Sequence, residues 1–125
     1  MSSVQRSCPL TVLIVEDDPF VRLDIAESFS RAGWTVVEAA SGEEALRFKS
    51  NVWQIDVVFT DIRLGGRVTG WDVAEAFRIE NETLPVVYAS GDPVLPIRKV
   101  SDSVYFEKPY DPALVIEACA DLTRH

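Results

Sequence analysis

Apolar and polar positions along this chain switch between two rhythms. "LTVLIV" (10–15) is a continuous β-rich apolar run, the pattern of a strand covered on both faces. Asp18 offers an N-cap with Pro19 at the first helical position. Val21, Ile25, Ser28, Phe29 and Ala32 then keep one helical face, and Gly33 ends the helix. "WTVVEA" (34–39) reads as a second strand. Ser41 and Glu44 have capping-box spacing and open a helix through Lys49. "IDVVFT" (55–60) is a third strand leading into Asp61 and a glycine-bearing loop. Thr69 and Asp72 cap a helix carrying Val73, Ala74 and Phe77 on its apolar face. "PVVYAS" (85–90) and "SVYFE" (103–107) are strands four and five, and a last helix runs from Asp111-Pro112 to about Leu122.

Strands that alternate with helices predict right-handed crossovers and a parallel sheet clad on both sides, an α/β architecture. The fold core spans 10–122, with 1–9 as an N-terminal extension, in one domain of 125 residues. The crossover from Gly91 to Asp102 is short and holds Pro93 and Pro96. A proline at the fourth helical position removes a hydrogen bond and crowds the preceding turn. The fourth helix is therefore expected to be short or irregular, dependent on packing by Val94, Leu95, Ile97 and Val100.

Composition narrows the function. Twenty Asp and Glu against twelve Lys and Arg give a formal charge of −8, which disfavours nucleic acid and anionic membranes as partners. No apolar run approaches the roughly 20 residues needed to cross a bilayer, and "MSSVQRSCP" has no signal-like apolar core. Cys8 and Cys119 lie at opposite ends and form no metal-ligand spacing, so reduced thiols in a cytoplasmic protein are expected, with Cys119 in the core.

In open parallel sheets the functional crevice lies beyond the carboxyl ends of the strands. Strand one ends in Glu16-Asp17-Asp18, strand three in Asp61, strand four in Ser90, and strand five runs into Lys108. Asp18 is accounted for as a helix cap. Glu16, Asp17 and Asp61 are not, because strands one and three are neighbours and their carboxylates crowd together. Two like charges about 4 Å apart repel by roughly 4 kcal/mol at an effective dielectric near 20. Lys108 supplies one compensating charge, and hard oxygen ligands suit Mg²⁺ for the rest.

"LTVLIVEDDPFVR", "VVFTDIRLGG", "PVVYASG" and "VYFEKPYDP" resemble, in order, the signature segments of receiver domains of two-component response regulators. The resemblance covers 10–122 and is to the stand-alone, chemotaxis-regulator-like type. It implies a flavodoxin-like, doubly wound five-stranded parallel sheet of order 2-1-3-4-5. It implies that Asp61 accepts a phosphoryl group from a histidine kinase or phosphotransfer protein. Glu16 and Asp17, with Asp61 and the backbone carbonyl of Arg63, would hold Mg²⁺. Ser90 would bond the phosphoryl group and move with it, Lys108 would pair with a phosphoryl oxygen, and Tyr105 would be the aromatic switch residue. The Lys108-Pro109 bond would be cis, and the output would be binding of a downstream protein.

The chain departs from the family pattern in three places. Gly65 replaces a usual proline, the loop before Gly70 is one residue longer, and Arg63 is a large cation where shorter residues are frequent. Arg63 and Asp92, each two residues past a site residue, are expected to meet over the site as a gate against water. Rival readings are a receiver-like interaction module without phosphoryl chemistry, a small aspartyl-phosphate phosphatase, and a flavin domain. The phosphatase needs an acid where Arg63 stands; the flavin domain needs a hydroxyl- and glycine-rich loop where three acids follow strand one.

Overall fold

The computed structural model describes residues 9–92 and 98–124. The elements are β1 (Thr11–Val15), α1 (Pro19–Arg31), β2 (Thr35–Ala39), α2 (Gly42–Leu46) and a 3-10 segment (Lys49–Gln54). They continue as β3 (Val57–Asp61), α3 (Gly70–Glu80), β4 (Val86–Ser90), β5 (Val104–Glu107) and α4 (Pro112–Leu122). All strands pair in parallel in the order β2-β1-β3-β4-β5, the flavodoxin-like arrangement expected.

Side-chain alternation along buried strands builds two large cores, and a smaller cluster gathers Ile62, Ala74, Val86 and Tyr88. Val12, Ile14, Val57 and Phe59 face Ile25 and Phe29 of α1 and Val115 and Cys119 of α4. Leu13, Val15 and Val58 face the other way, against Ala45 of α2 and Val73 and Phe77 of α3. Full burial of residues such as Phe29 and Phe77 contributes about 1.5–3 kcal/mol each. Cys119 is core, and burial pushes its thiol up to about 12.

The helix starts follow their sequence signals. Asp18 Oδ1 accepts from Phe20 N, Asp111 Oδ1 accepts from Ala113 N, and Thr69 with Asp72 forms a reciprocal capping box. Gly33, at φ 93, ends α1 in the left-handed region that a side chain would resist. Ala32, expected on the buried face, is exposed as the C-cap.

Three further expectations need correction. α2 does not reach Lys49; it stops at Leu46, and the chain continues as the 3-10 segment with Asn51 at non-helical φ −110, ψ 23. Ser50 and Asn51 are weak helix formers whose side chains bond locally, here to each other. Ile55 closes that segment through Val52 O, so β3 begins at Val57 and contains Asp61 instead of preceding it. The capping box at Ser41 is also incomplete, since Glu44 Oε1 accepts from Ala40 N at 2.6 Å instead of Ser41 N.

Expectations for the β4–β5 crossover fall largely on 93–97, outside the described residues. Its described end, 98–102, has 3-10 backbone at Arg98 and is otherwise turn and irregular, with Asp102 at φ 57. Among the described residues no helix is long and apolar enough to cross a membrane.

Candidate functional site

Parallel pairing carries the ends of β1, β3, β4 and β5 to one edge. Val15 pairs with Thr60, Asp61 with Ala89, and Ser90 with Glu107, so the residues just beyond β1 and β5 flank Asp61. Lys108 N donates to Ser90 O at 2.8 Å, which fixes where the lysine leaves the sheet. The Lys108-Pro109 peptide is cis.

Glu16, Asp17 and Asp61 each place a carboxylate oxygen within 4.8 Å of the others. Glu16 and Asp61 are buried, at 4% and 8% exposure, while Asp17 is exposed. The ammonium of Lys108 lies 2.7 Å from Glu16 Oε1 and 3.1 Å from Asp61 Oδ2. Desolvation raises the Asp61 carboxyl above its usual range, and the charge of Lys108 opposes that. Desolvation likewise raises Glu16 against its hydrogen bond to Lys108. For Lys108 desolvation pulls down, but Glu16 and Asp61 together outweigh it and leave the ammonium raised.

Three carboxylates facing one ammonium form a cluster short of positive charge. Its donors are hard oxygens, and one of the acids is open to water. That chemistry fits Mg²⁺, which takes one or two carboxylates and keeps several waters.

A second group of residues stands beside this cluster. Ser90, 1% exposed, donates its hydroxyl to Asp92 O and accepts from Asp92 N, both at 3.2 Å. Tyr105, half-buried on β5, directs its hydroxyl to Asp92 O at 3.5 Å. Arg63 Nε meets Asp92 Oδ2 at 3.0 Å, an ion pair with both side chains exposed. It joins the loop after β3 to the end of β4. The backbone of Arg63 lies close enough to Asp61 to oppose, weakly, the upward shift of its carboxyl.

Two contributors escaped the sequence reading. Arg22 on α1 donates to Glu16 O at 2.8 Å and pairs with Glu38 of β2 at 3.2 Å, holding the turn that carries the acidic pair. Its position one turn into α1 was the available signal, but its acceptor is a backbone carbonyl. Glu43 on α2 accepts from Arg67 N at 3.1 Å in the loop after β3, and no local pattern links the two.

Comparison with known proteins places these features in a family. Residues 12–119 match the model of the response regulator receiver domain. A response regulator receiver protein from Sinorhizobium medicae superimposes with a TM-score of 0.88 at 33% identity, covering 92% of this chain and 94% of that one. The transcriptional regulatory protein PdtaR of Mycobacterium tuberculosis is 30% identical over 121 residues, 94% of this chain and 58% of PdtaR. A cyclic di-GMP phosphodiesterase from Thermotoga maritima is 35% identical over 77 residues, 62% of this chain and 20% of its own length. The chain thus spans only part of the curated relatives it matches.

Proposed function

The chain belongs to the response regulator receiver domain family, and from that premise we propose that Asp61 is its phosphoacceptor. The donor is a histidine kinase or a phosphotransfer protein. The Asp61 carboxylate attacks phosphorus, the new O–P bond replaces the P–N bond, and the donor imidazole keeps the electron pair. Glu16, Asp17, Asp61 and the carbonyl of Arg63 hold Mg²⁺. Bound there, Mg²⁺ supplies the positive charge that bringing anion to anion requires.

The observation that carries this reading is Lys108. Its ammonium bonds Asp61 and Glu16 together at the strand edge, at 3.1 and 2.7 Å. An ammonium there can pass to a phosphoryl oxygen when Asp61 is modified. Ser90 is the second donor. To reach the phosphoryl group it gives up both of its contacts with Asp92, and the backbone after β4 is released with it. Tyr105, resting on the same Asp92 carbonyl, follows. The output is altered binding of a downstream protein, so the domain is a signalling switch and not a metabolic enzyme. Its charge of −8 turns it away from nucleic acid and anionic membrane and suits a cytoplasmic protein partner.

The test is modification. With Mg²⁺, a small phosphodonor adds one phosphoryl mass to the wild-type protein, and Asp61→Asn takes none. Phosphate gain persisting in Asp61→Asn by intact-mass analysis would place the acceptor elsewhere. Trp71 is the optical reporter. It follows Gly70, whose N–H bonds Ile62 O at 2.9 Å, and it packs on Tyr88 with ring centroids 4.9 Å apart. Trp53 is 76% exposed and Trp34 packs on Phe29, both away from the acidic edge.

A further inference from the structure

The loop between Ile62 and Thr69 brings the Arg63 backbone to Asp61 and runs beside Asp17, where a Cβ added at Gly65 would stand 3.3 Å from Asp17 Oδ2. Its base is closed by Ile62 N on Ala89 O at 3.0 Å and Gly70 N on Ile62 O at 2.9 Å. Its middle, Gly65 to Arg67, is exposed and gains no support from the sheet. Support comes from α2. Glu43 Oε2 accepts from Arg67 N at 3.1 Å. Gly66 approaches so closely that an added Cβ would lie 2.7 Å from Glu43 Oε1. Two residues on from Gly66, Val68 covers Gly42, where an added Cβ would lie 2.6 Å from Val68 Cγ1. Glu43 is held below the usual carboxylate range by its own amide and then by that of Arg67.

An acid in the first turn of a helix has a simpler role, complementing the helix dipole. That role requires neither a bond to Arg67 nor a glycine opposite the carboxylate. We infer that Glu43 is a positioning residue of the phosphorylation site: from α2 it clamps the loop after β3, fixing the Arg63 backbone beside Asp61 and Gly65 beside Asp17. The inference rests on the Mg²⁺ and phosphoacceptor reading above. It also answers a departure from the family pattern, since a longer loop with Gly65 and Gly66 needs an external hold that a stiffer, shorter loop does not.

The clamp can be opened from either side. Glu43→Leu removes the acceptor. Gly66→Ala leaves Glu43 in place but pushes a methyl group onto the end of its flexible side chain. Gly66 has no positive φ, so alanine fits its backbone. Glu43→Gln keeps an acceptor oxygen and is the rescuing variant. In metal-free protein, amide exchange at Arg67 accelerates in Glu43→Leu and Gly66→Ala and is largely restored in Glu43→Gln. In Mg²⁺ titrations followed by Trp71 fluorescence, the first two raise the dissociation constant about threefold to tenfold, the worth of one hydrogen bond. Glu43→Gln stays within about twofold, and Gly66→Ala adds nothing further in the Glu43→Leu background. Wild-type-like Mg²⁺ affinity in Glu43→Leu overturns the inference, whether or not Arg67 exchange accelerates. Wild-type protein that takes up no Mg²⁺ overturns the site reading, and the inference with it.

Discussion

Asp17→Asn removes one of three clustered negative charges while preserving the shape of the side chain. Lys108 bonds Glu16 and Asp61, at 2.7 and 3.1 Å, so Asp17 is the carboxylate left without it. Its oxygen lies within 4.8 Å of an oxygen of each neighbour. At that separation one like-charge pair costs about 3.5 kcal/mol at an effective dielectric of 20 and about 0.9 kcal/mol in bulk water. Asp17 is exposed, which favours the lower figure, and the nearby ammonium offsets part of the repulsion from its two neighbours. A net gain of about 1–2 kcal/mol is therefore expected for metal-free Asp17→Asn. For a domain of this size that raises Tm by about 3–10 °C.

The difference narrows once metal is present. Mg²⁺ at ten times its dissociation constant stabilises wild type by about 1.4 kcal/mol through mass action. Asp17→Asn, short of a ligand, gains little from the same addition. Thermal unfolding in EDTA and in saturating Mg²⁺ gives four curves, with the variant ahead in EDTA and its lead shrinking or inverting with metal. An Asp17→Asn protein less stable than wild type in EDTA would refute the charge argument. One that Mg²⁺ stabilises as much as wild type would remove Asp17 from the metal site.

Lys108→Met has the opposite effect: it leaves Glu16 and Asp61 uncompensated and costs about 3 kcal/mol by urea unfolding in EDTA, part of it restored by Mg²⁺. No loss of stability would mean that the ion pairs do not offset the repulsion. If the Arg63–Asp92 pair is a gate that screens an acyl phosphate on Asp61 from water, Arg63→Ala shortens the lifetime of the phosphorylated protein; an equal or longer lifetime by mass spectrometry rules out the gate. The same change shifts stability by no more than about 1 kcal/mol, since both partners are exposed. Tyr88→Phe costs about 1 kcal/mol in urea unfolding by orphaning Val100 N, which donates to the Tyr88 hydroxyl at 3.1 Å; a neutral substitution means that water replaces the hydroxyl.

The strands and most helix starts were legible because their signals are local. A β-rich apolar run is buried wherever it lies in a parallel sheet, and Asp18-Pro19 and Asp111-Pro112 cap helices by chemistry contained in neighbouring residues. The break in α2 was not legible from period alone, because Phe48 and Val52 remain apolar at near-helical spacing while Ser50 and Asn51 between them favour turns. Contacts to backbone atoms were also hidden. Arg22 on Glu16 O, Glu43 on Arg67 N and Ser90 on Asp92 depend on where main-chain groups point after folding, which no residue type announces.

The acidic edge shows where local reading stops. Three acids and one lysine at the ends of parallel strands had to meet, and charge balance required the lysine to serve at least one acid. Which acids it serves depends on register. Lys108 N bonds Ser90 O, and Ser90 lies one position beyond Ala89, the partner of Asp61. That offset brings the ammonium to Asp61 and Glu16 and leaves Asp17 facing solvent. The division has a chemical consequence. The buried acids are already neutralised in part by a tethered cation, while the free acid is the one a hydrated cation can reach first. On the proposed reading Asp17 would therefore be the first ligand a Mg²⁺ ion meets, and Lys108 would be the cation left to pair with a phosphoryl oxygen on Asp61.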